Sequence, residues 1–286
     1  MIKGDIIMAF DVNELIIDRV RSLTAHDLSD GKMLFRLTSL EDPSLQCTAE
    51  GEEVTDAIGA LITTLYRAKK ATFSASNSLI SLDLAAAQYG TKKEVASADN
   101  KIVVPTYEVL TVENGKVMLS NEATYTMTKD DKKAYNIKYI YALVDGGIAT
   151  RYNYGAAVSA TEFLASEGTK TLADGKTKTV TTIAVPTDVT GKIYVEYEYE
   201  AENANRITNK TSEFPEACSM KIYAYFRDKC NENVVYSGVI VANKAKLNPE
   251  SIELALTSTG KHAFEFQMMR DYCDEEAELF SIIVAE

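Results

Sequence analysis

Alternation of apolar and polar residues near the C-terminus constrains the fold of this chain more than any other feature. Within residues 262–268, Phe264, Phe266 and Met268 occupy every second position. Because successive side chains of a β-strand point to opposite faces, a period of two predicts a half-buried strand. Further strands are predicted at residues 220–226, 234–242, 251–257 and 279–285. The chain is therefore expected to end in a β-sheet.

A tight turn is predicted between two of these strands. Residues 258–261 read Ser-Thr-Gly-Lys, which has the length and composition of a hairpin turn. In residues 251–257, Ile252, Leu254 and Leu256 occupy every second position, as Phe264 and Phe266 do. We therefore expect the apolar faces of the two strands to share one core.

The composition is typical of a globular protein and gives no sign of a membrane protein. Hydrophobic residues make up 46% of the 286 positions, yet no apolar run approaches the roughly 18 residues of a membrane span. The first residues also lack the pattern of a secretory signal. Met8 is as reasonable a translation start as Met1, so the first seven residues carry no argument.

Charge and cysteine content exclude several classes of protein. The net charge of −12 argues against a surface that binds nucleic acid by neutralising phosphates, but not against one past which nucleic acid slides. No Cys-x-x-Cys pair occurs, so neither a zinc site nor a dense disulfide scaffold is indicated. We expect reduced core thiols at Cys47, Cys218, Cys230 and Cys273.

The first 75 residues also predict strands separated by turn signals. Asp30-Gly31 lies between the first two strands and Asp42-Pro43 ends the second, because glycine tolerates positive φ and proline removes a hydrogen-bond donor. The strand-like runs are residues 15–23, 33–40, 46–50 and 60–75. The start of the first run and the whole of the last are also compatible with a helix, although β-branched residues favour a strand in the last.

One helix is predicted, near residues 78–89. Asn77 or Ser78 can cap its free amides, the alanines favour helix, and Gly90 can adopt the left-handed conformation that ends it. The apolar residues that would share one face are Leu79, Leu82 and Ala86.

The middle of the chain, residues 105–200, is typical of an all-β module. Turn signals recur there between apolar runs. They fall at Asn114-Gly115, residues 129–132, residues 145–147, Asp174-Gly175 and Thr190-Gly191. We therefore predict an inserted β-sandwich-like module, with residues 1–104 and 201–286 forming the two parts of one β core. A single continuous β domain is the alternative.

Few residues of this sequence are candidates for catalysis. His26 beside Asp27 could act as a general base, but a solvated histidine at a turn is favoured, and His262 opens a predicted strand. No nucleophile elbow, phosphate loop, dinucleotide fingerprint or zinc-binding helix occurs. We predict no catalytic residue, no cofactor and no metal site.

An acidic face is the one candidate site. Glu196, Glu198 and Glu200 alternate with Val195 and Tyr197, so one strand face carries three carboxylates about 6.6–7 Å apart. Such a row could bind a hard cation or serve glycoside hydrolysis. An exposed, charged face that discourages pairing at a sheet edge is favoured instead.

Two shorter charged segments are also assigned to solvent or to ion pairs. Residues 271–278 hold five carboxylates without the spacing or glycine of a calcium loop, and a solvated loop is favoured. The basic residues Arg67, Lys69 and Lys70 are expected to form salt bridges with part of the acidic excess, in this subunit or a neighbour.

Two sets of segments resemble the major tail, or tail tube, proteins of tailed bacteriophages. The first set comprises residues 18–24, 67–79 and 86–90, and the second comprises residues 238–249, 260–266, 271–273 and 279–283. Together they span roughly half of the chain and leave the middle module outside. They contain no chemical motif, so the resemblance is to a structural family.

The resemblance implies a mainly β, tail-tube-like core of the sandwich or barrel-forming type with one flanking helix. Family members would assemble with themselves as stacked, hexameric rings, and long hairpins would close a continuous barrel around a lumen. DNA would pass through without specific binding, and an acidic lumen would repel its phosphates. The subunit would be made in the host bacterial cytoplasm, join other tail proteins in the virion tail, avoid membranes and carry no catalytic residue.

Two other functions stay open at this stage. One is another β-rich virion protein, such as a capsid or decoration protein. The other is a carbohydrate-binding or glycan-cleaving β protein, whose only candidate site is the face of Glu196, Glu198 and Glu200.

Overall fold

The protein is mainly β, and its chain divides into two compact units. A computed structural model describes residues 14–144, 147–231, 233–250, 252–257, 260–271 and 278–285. The first unit is made of Met1–Lys93 and Ile207–Glu286, and the second is Glu94–Arg206. No helix in the described part of the chain has the length and hydropathy needed to cross a membrane.

The elements follow one another along the chain as nineteen strands and one helix within the described residues. The N-terminal part contains β1 (Leu15–Asp27), β2 (Met33–Leu37), β3 (Leu40–Thr55), β4 (Leu61–Asn77) and α1 (Leu82–Tyr89). The middle contains β5 (Glu94–Val95), β6 (Ile102–Thr111), β7 (Lys116–Met118), β8 (Tyr125–Met127), β9 (Lys133–Tyr135), β10 (Tyr139–Val144), β11 (Gly147–Tyr154), β12 (Glu162–Thr171), β13 (Thr177–Ala184), β14 (Lys192–Ala201) and β15 (Asn205–Arg206). The C-terminal part contains β16 (Ala217–Asp228), β17 (Val235–Leu247), β18 (His262–Met268) and β19 (Ser281–Ala285).

The N-terminal and C-terminal strands interleave in one antiparallel sheet of the first unit. Its order is β2-β1-β16-β17-β18-β4-β3, and β19 pairs with β17 beside β18. The C-terminal strands β16, β17 and β18 therefore lie between β1 and β4. Neither part of the chain can complete this sheet alone, so the two parts form a single core.

The sheet curls into a nearly closed, barrel-like form. Phe35 on β2 and Phe266 on β18 are four strands apart in the sheet order, a distance of about 19 Å in a flat sheet. Their ring centroids are only 6.3 Å apart. Leu23, Met220 and Phe266 are fully buried in the same core cluster as Phe35. The alternation of Phe264, Phe266 and Met268 is confirmed, because all three point into this core.

The helix is confirmed, but it begins later than predicted. Ser81 is the N-cap, because its Oγ accepts a hydrogen bond from the Leu84 amide at 3.2 Å. Asn77 and Ser78 precede this cap and bond elsewhere: Asn77 Nδ2 donates to the Leu79 carbonyl and Ser78 Oγ to the Glu41 carboxylate. Gly90 ends the helix with φ of 70°, as expected.

The buried face of the helix also differs from the predicted one. Leu84, Ala85, Ala86 and Gln88 are buried, whereas Leu79 and Leu82 are 65% and 43% exposed. The reason is the late start, since Leu79 precedes the helix and cannot share its periodicity.

The second unit has its own sheet and core. The sheet order is β6-β14-β10-β11-β12-β13-β7, with one parallel pair, β11 and β12. Its core is built around large, fully buried residues, which include Ile140, Phe163, Ile183 and Ile193. The turn at Asn114-Gly115 is confirmed, with φ of 52° and 72°. Part of the predicted turn at residues 145–147 lies outside the described residues.

The predicted strand at residues 251–257 is wrong for the part that the structure describes. Residues 252–257 form only one isolated bridge, between Leu254 and His262, and Leu256 is 86% exposed. A strand there needs an edge of β18, but β17 and the amide of Asn248 already occupy that edge from Glu265 to Met268. Residues 258 and 259 of the predicted turn lie outside the described part of the chain.

Two further predictions need correction. Asp42-Pro43 does not end a strand but lies within β3, where the register shifts and Asp42 has φ of 50°. A bulge on a strand at the end of a sheet tolerates the missing proline donor. Of the four cysteines, Cys218 is buried as expected, Cys47 and Cys230 are exposed, and Cys273 lies outside the described residues.

Candidate assembly surface

The hairpin of β3 and β4 extends well beyond the sheet to which it belongs. β3 and β4 pair from Leu40 and Asn77 to Thr55 and Leu61. Among the described residues, β4 has one further partner, β18, which pairs with it no farther than Ala71. Residues 48–70 therefore form a two-stranded projection, which we call the arm.

The arm is exposed on both of its faces. Every residue of the arm is exposed except Thr64, which is half-buried. Ile58 at the tip is 89% exposed, Tyr66 is 73% exposed and Ile62 is 64% exposed. A two-stranded hairpin without further packing is marginally stable in water. The arm therefore gains little stability from packing within the chain.

Register places large side chains on opposite faces of the arm. Leu65 lies opposite Glu52, and Tyr66 lies opposite Gly51 on the other face. The Tyr66 ring covers Gly51 so closely that a Cβ at this glycine would stand 3.3 Å from Tyr66 Cε1. Because apolar and aromatic groups occupy both faces, no single core within the subunit could bury them.

Ion pairs along the arm link its two strands. Lys70 Nζ lies 2.9 Å from Glu50 Oε1, and Arg67 Nη2 lies 3.4 Å from Glu52 Oε2. The prediction that the basic run forms salt bridges is confirmed for these two residues. Both pairs are solvent-exposed, so they stabilise the subunit little and chiefly favour one strand register.

The sheet has free edges at both ends. β3 is the last strand in the order, and within the described residues nothing pairs with its outer side. At the other end, β2 covers β1 only from Leu23 to His26 and leaves Leu15 to Ser22 without a described partner on that side. Long free edges are templates for pairing with another chain.

The predicted acidic face lies in the second unit, far along the sequence from the arm. Glu196, Glu198 and Glu200 are exposed on β14, while Val195 and Tyr197 are buried on the other side, as the alternation predicted. Their strand pairs with β6 along its whole length but with β10 only from Lys192 to Val195. The row therefore begins where β10 leaves β14.

Hydrogen bonds and burial raise the pKa values of two tyrosines near this row. The Glu196 carboxylate accepts a bond from Tyr194, which raises the pKa of Tyr194 to about 12. Burial, followed by a bond to the Glu108 carboxylate, raises the pKa of Tyr197. Both tyrosines therefore stay protonated donors, unsuited to act as bases near neutral pH.

Other charged groups of the second unit also have structural partners. Lys133 Nζ lies 2.6 Å from Glu122 Oε1 and 2.5 Å from Glu167 Oε2, and these bonds raise its pKa. Within the described residues, no cluster of three or more ligating side chains could hold a metal ion.

The two histidines do not form acid–base pairs with carboxylates. His26 is half-buried in β1 and not at a solvated turn, while Asp27 accepts bonds from the Ser29 amide and hydroxyl at 2.7 and 2.6 Å. Those bonds lower the pKa of Asp27. His262 is fully buried between sheet and helix. Of the predicted acidic loop, only Asp271 and Glu278 lie within the described residues.

A match to one protein family decides the class of this protein. The model of the YomU/Tube protein family matches residues 122–282, more than half of the 286 residues. The chain belongs to the YomU/Tube family. Membership in this phage tube family identifies it as a tube-like structural protein of a phage. No curated protein matches the chain.

The extent of the YomU/Tube match changes one expectation. The resemblance to tail tube proteins was placed on the segments flanking the middle module. The match instead begins at residue 122 within the second unit and continues through β16, β17 and β18. Much of the middle module is therefore part of the family pattern, whereas the arm lies N-terminal to the match.

Sequence reasoning identified the strands of the arm but not the arm itself. Strands were predicted at residues 46–50 and 60–75, yet nothing predicted that they pair with each other beyond the sheet. One signal was available: Leu61, Ile62, Leu65 and Tyr66 do not keep to alternate positions. A strand with apolar residues on both faces needs partners on both faces.

Proposed function

We propose that this protein is a tail tube subunit that polymerises as stacked, hexameric rings and forms the conduit for phage DNA. The observation that carries the proposal is the arm, a long hairpin exposed on both faces in a protein of a tube family. Its residues gain burial only when other subunits pack on it.

The free edges explain how rings would close. The outer edge of β3 on one subunit and the uncovered edge of β1 on the next are different surfaces, so their contact is head-to-tail. Head-to-tail contacts generate a ring when the rotation between subunits closes. A closed barrel removes every sheet edge, and the stacked rings would bury the faces of the arms.

The net charge of the chain also supports a structural role in the virion tail. The net charge of −12 suits a conduit past which DNA slides without binding. The subunit would be made in the host bacterial cytoplasm and assemble with itself and with other tail proteins. The second unit is proposed to be a module inserted between the two parts of the core, with residues 1–104 and 201–286 contributing that core.

Electron microscopy of purified protein tests the proposal. In the test variant, an Asn-Gly turn replaces residues 49–69 and closes the hairpin just beyond Thr48 and Lys70. We expect wild-type protein to form rings or tubes and the variant to remain monomeric. The matched control is Glu200→Gln, an exposed change in the second unit, which should assemble like wild type.

The variant must also be shown to fold. Since β4 keeps its pairing with β18, its circular dichroism spectrum and unfolding midpoint should stay close to those of wild type. Tubes formed by the folded, armless variant would overturn the role of the arm. A wild-type protein that stays monomeric at high concentration would overturn the tail tube proposal as a whole.

A further inference from the structure

Four tyrosines form a continuous row on the outer face of the second unit's sheet. They are Tyr107 on β6, Tyr194 on β14, and Tyr141 and Tyr139 on β10. Successive ring centroids lie 5.4, 6.3 and 5.4 Å apart. Tyr107 is 64% exposed and Tyr139 is 37% exposed, so both ends of the row present ring surface to solvent.

A carboxylate lies among these rings. Strand register places Glu196 directly opposite Tyr107 on β6. On its other side, the last registered pair is Val195 with Ile140, and Tyr139 and Glu196 line the same groove beyond that pair. The Tyr194 hydroxyl donates a hydrogen bond to Glu196 Oε1 at 2.5 Å. Strand register and this bond therefore hold the carboxylate next to the exposed Tyr107 ring.

The same residues line a groove. Beyond Val195 the pairing between β14 and β10 stops, and the next described neighbour on that side of β14 is the Thr124 amide, which donates a hydrogen bond to the Glu198 carbonyl. The gap is a groove of about 980 Å³, at the upper end of the range for small-ligand sites. Tyr107, Glu196 and Glu198 lie on one side, and Asn136, Lys138 and Tyr139 lie on the other.

The lining combines aromatic faces with both hydrogen-bond acceptors and donors. Glu196 and Glu198 accept hydrogen bonds, whereas the Lys138 ammonium and the Asn136 amide donate. The amide already donates one bond, to Thr124 Oγ1 at 3.1 Å, and keeps a second N–H. Two carboxylates repel phosphate, which disfavours nucleic acid, and this density of charged groups disfavours a purely apolar ligand.

We propose that this groove binds a neutral oligosaccharide. A sugar ring has a face of C–H groups that packs on an aromatic ring, and its hydroxyls both donate and accept hydrogen bonds. Tyr107 and Tyr139 supply the rings, Glu196 and Glu198 the acceptors, and Lys138 and Asn136 the donors. The groove lies within the second unit and contains no residue of the arm, so this function does not depend on tube formation.

Calorimetric titration of the full-length protein with maltohexaose, cellohexaose and chitohexaose tests the proposal. We expect at least one of them to bind with Kd of about 1 mM or tighter. Tyr107→Ala should weaken that binding about tenfold, whereas Tyr107→Phe, which keeps the ring, should preserve it. Glu196→Gln should also weaken binding. Glu200→Gln is its matched control, because Glu200 lies on the same strand face outside the groove, and should bind like wild type.

Three outcomes would overturn the proposal. None of the oligosaccharides binds at about 10 mM; binding persists unchanged in both Tyr107→Ala and Glu196→Gln; or an oligothymidylate binds instead and loses affinity in Tyr107→Ala. Unfolding midpoints of the variants are compared with wild type, so that lost binding is not confused with lost folding. Failure of binding in protein that still forms tubes would refute this site and leave the proposed tail function intact.

Discussion

At the scale of single residues, His262 shows how a polar side chain can be part of a core. Its Nε2 lies 2.6 Å from Gln88 Oε1, and its Nδ1 is 3.4 Å from the Ser81 amide nitrogen. Gln88 Nε2 in turn donates to the Ala263 carbonyl at 3.1 Å. The neutral ring thus donates at Nε2 and accepts at Nδ1, and it joins the helix to β18.

This arrangement makes stability depend on pH. Burial lowers the pKa of His262 below the ordinary value of 6.5. The unfolded chain therefore protonates His262 more readily than the folded protein does. The contribution of neutral His262 to stability is complete above about pH 6.5, and it is lost as the pH drops through the lowered pKa. Each unit of difference between the pKa values in the folded and unfolded states changes the free energy of unfolding by about 1.4 kcal/mol.

Urea unfolding at pH 7 and pH 5 measures this effect. We expect wild type to lose more stability between the two pH values than His262→Gln, which cannot take up the proton. His26→Gln is the control, since the other histidine lies half-buried in β1. Equal losses in wild type and His262→Gln would show that protonation of His262 does not make the stability depend on pH.

At the scale of elements, the helix depends on a cap that sequence spacing did not identify. Ser81 bonds the Leu84 amide, whereas Ser78 bonds Glu41 outside the helix. Three candidate residues for the cap lie within five positions, and distant segments favour the last of them, because Glu41 binds Ser78 and His262 on β18 accepts a bond from the Ser81 amide. Spacing within the helix contains no such information.

Substitution of the two serines separates these roles. Ser81→Ala should destabilise the protein by about 1 kcal/mol, because it removes the cap. Ser78→Ala should cost less than about 0.5 kcal/mol, because its bond is exposed. Thermal or urea unfolding of both variants measures the difference, and a larger loss for Ser78→Ala would place the cap at the residue first predicted.

At the scale of the whole molecule, the core was largely predictable and the surfaces were not. Strands such as β18 follow from period-two patterns because each buries one face in the subunit itself. Residues 252–257 show the same pattern, but β17 already occupies most of the β18 edge and leaves them a bridge to His262 alone, so local alternation misled. The alternation of apolar residues is a property of one segment, whereas strand pairing depends on which edges of the sheet other strands already occupy.

The candidate surfaces depend on relations between distant segments. The acidic row was identified by its spacing, but its neighbours Tyr107 and Tyr139 come from other strands and gave no local signal. The arm was likewise visible only as two strands. Its exposure on both faces, in a protein of the YomU/Tube family, is the central reason to expect assembly.

Amide hydrogen exchange of the arm, before and after assembly, tests this central claim most directly. In dissociated subunits the amides of residues 48–70 should exchange far faster than those of β16 and β17, which lie inside the sheet. In assembled particles, the amides of the arm should become protected while those of β16 and β17 change little. Arm amides already protected in the monomer, or still unprotected in the assembly, would contradict the account.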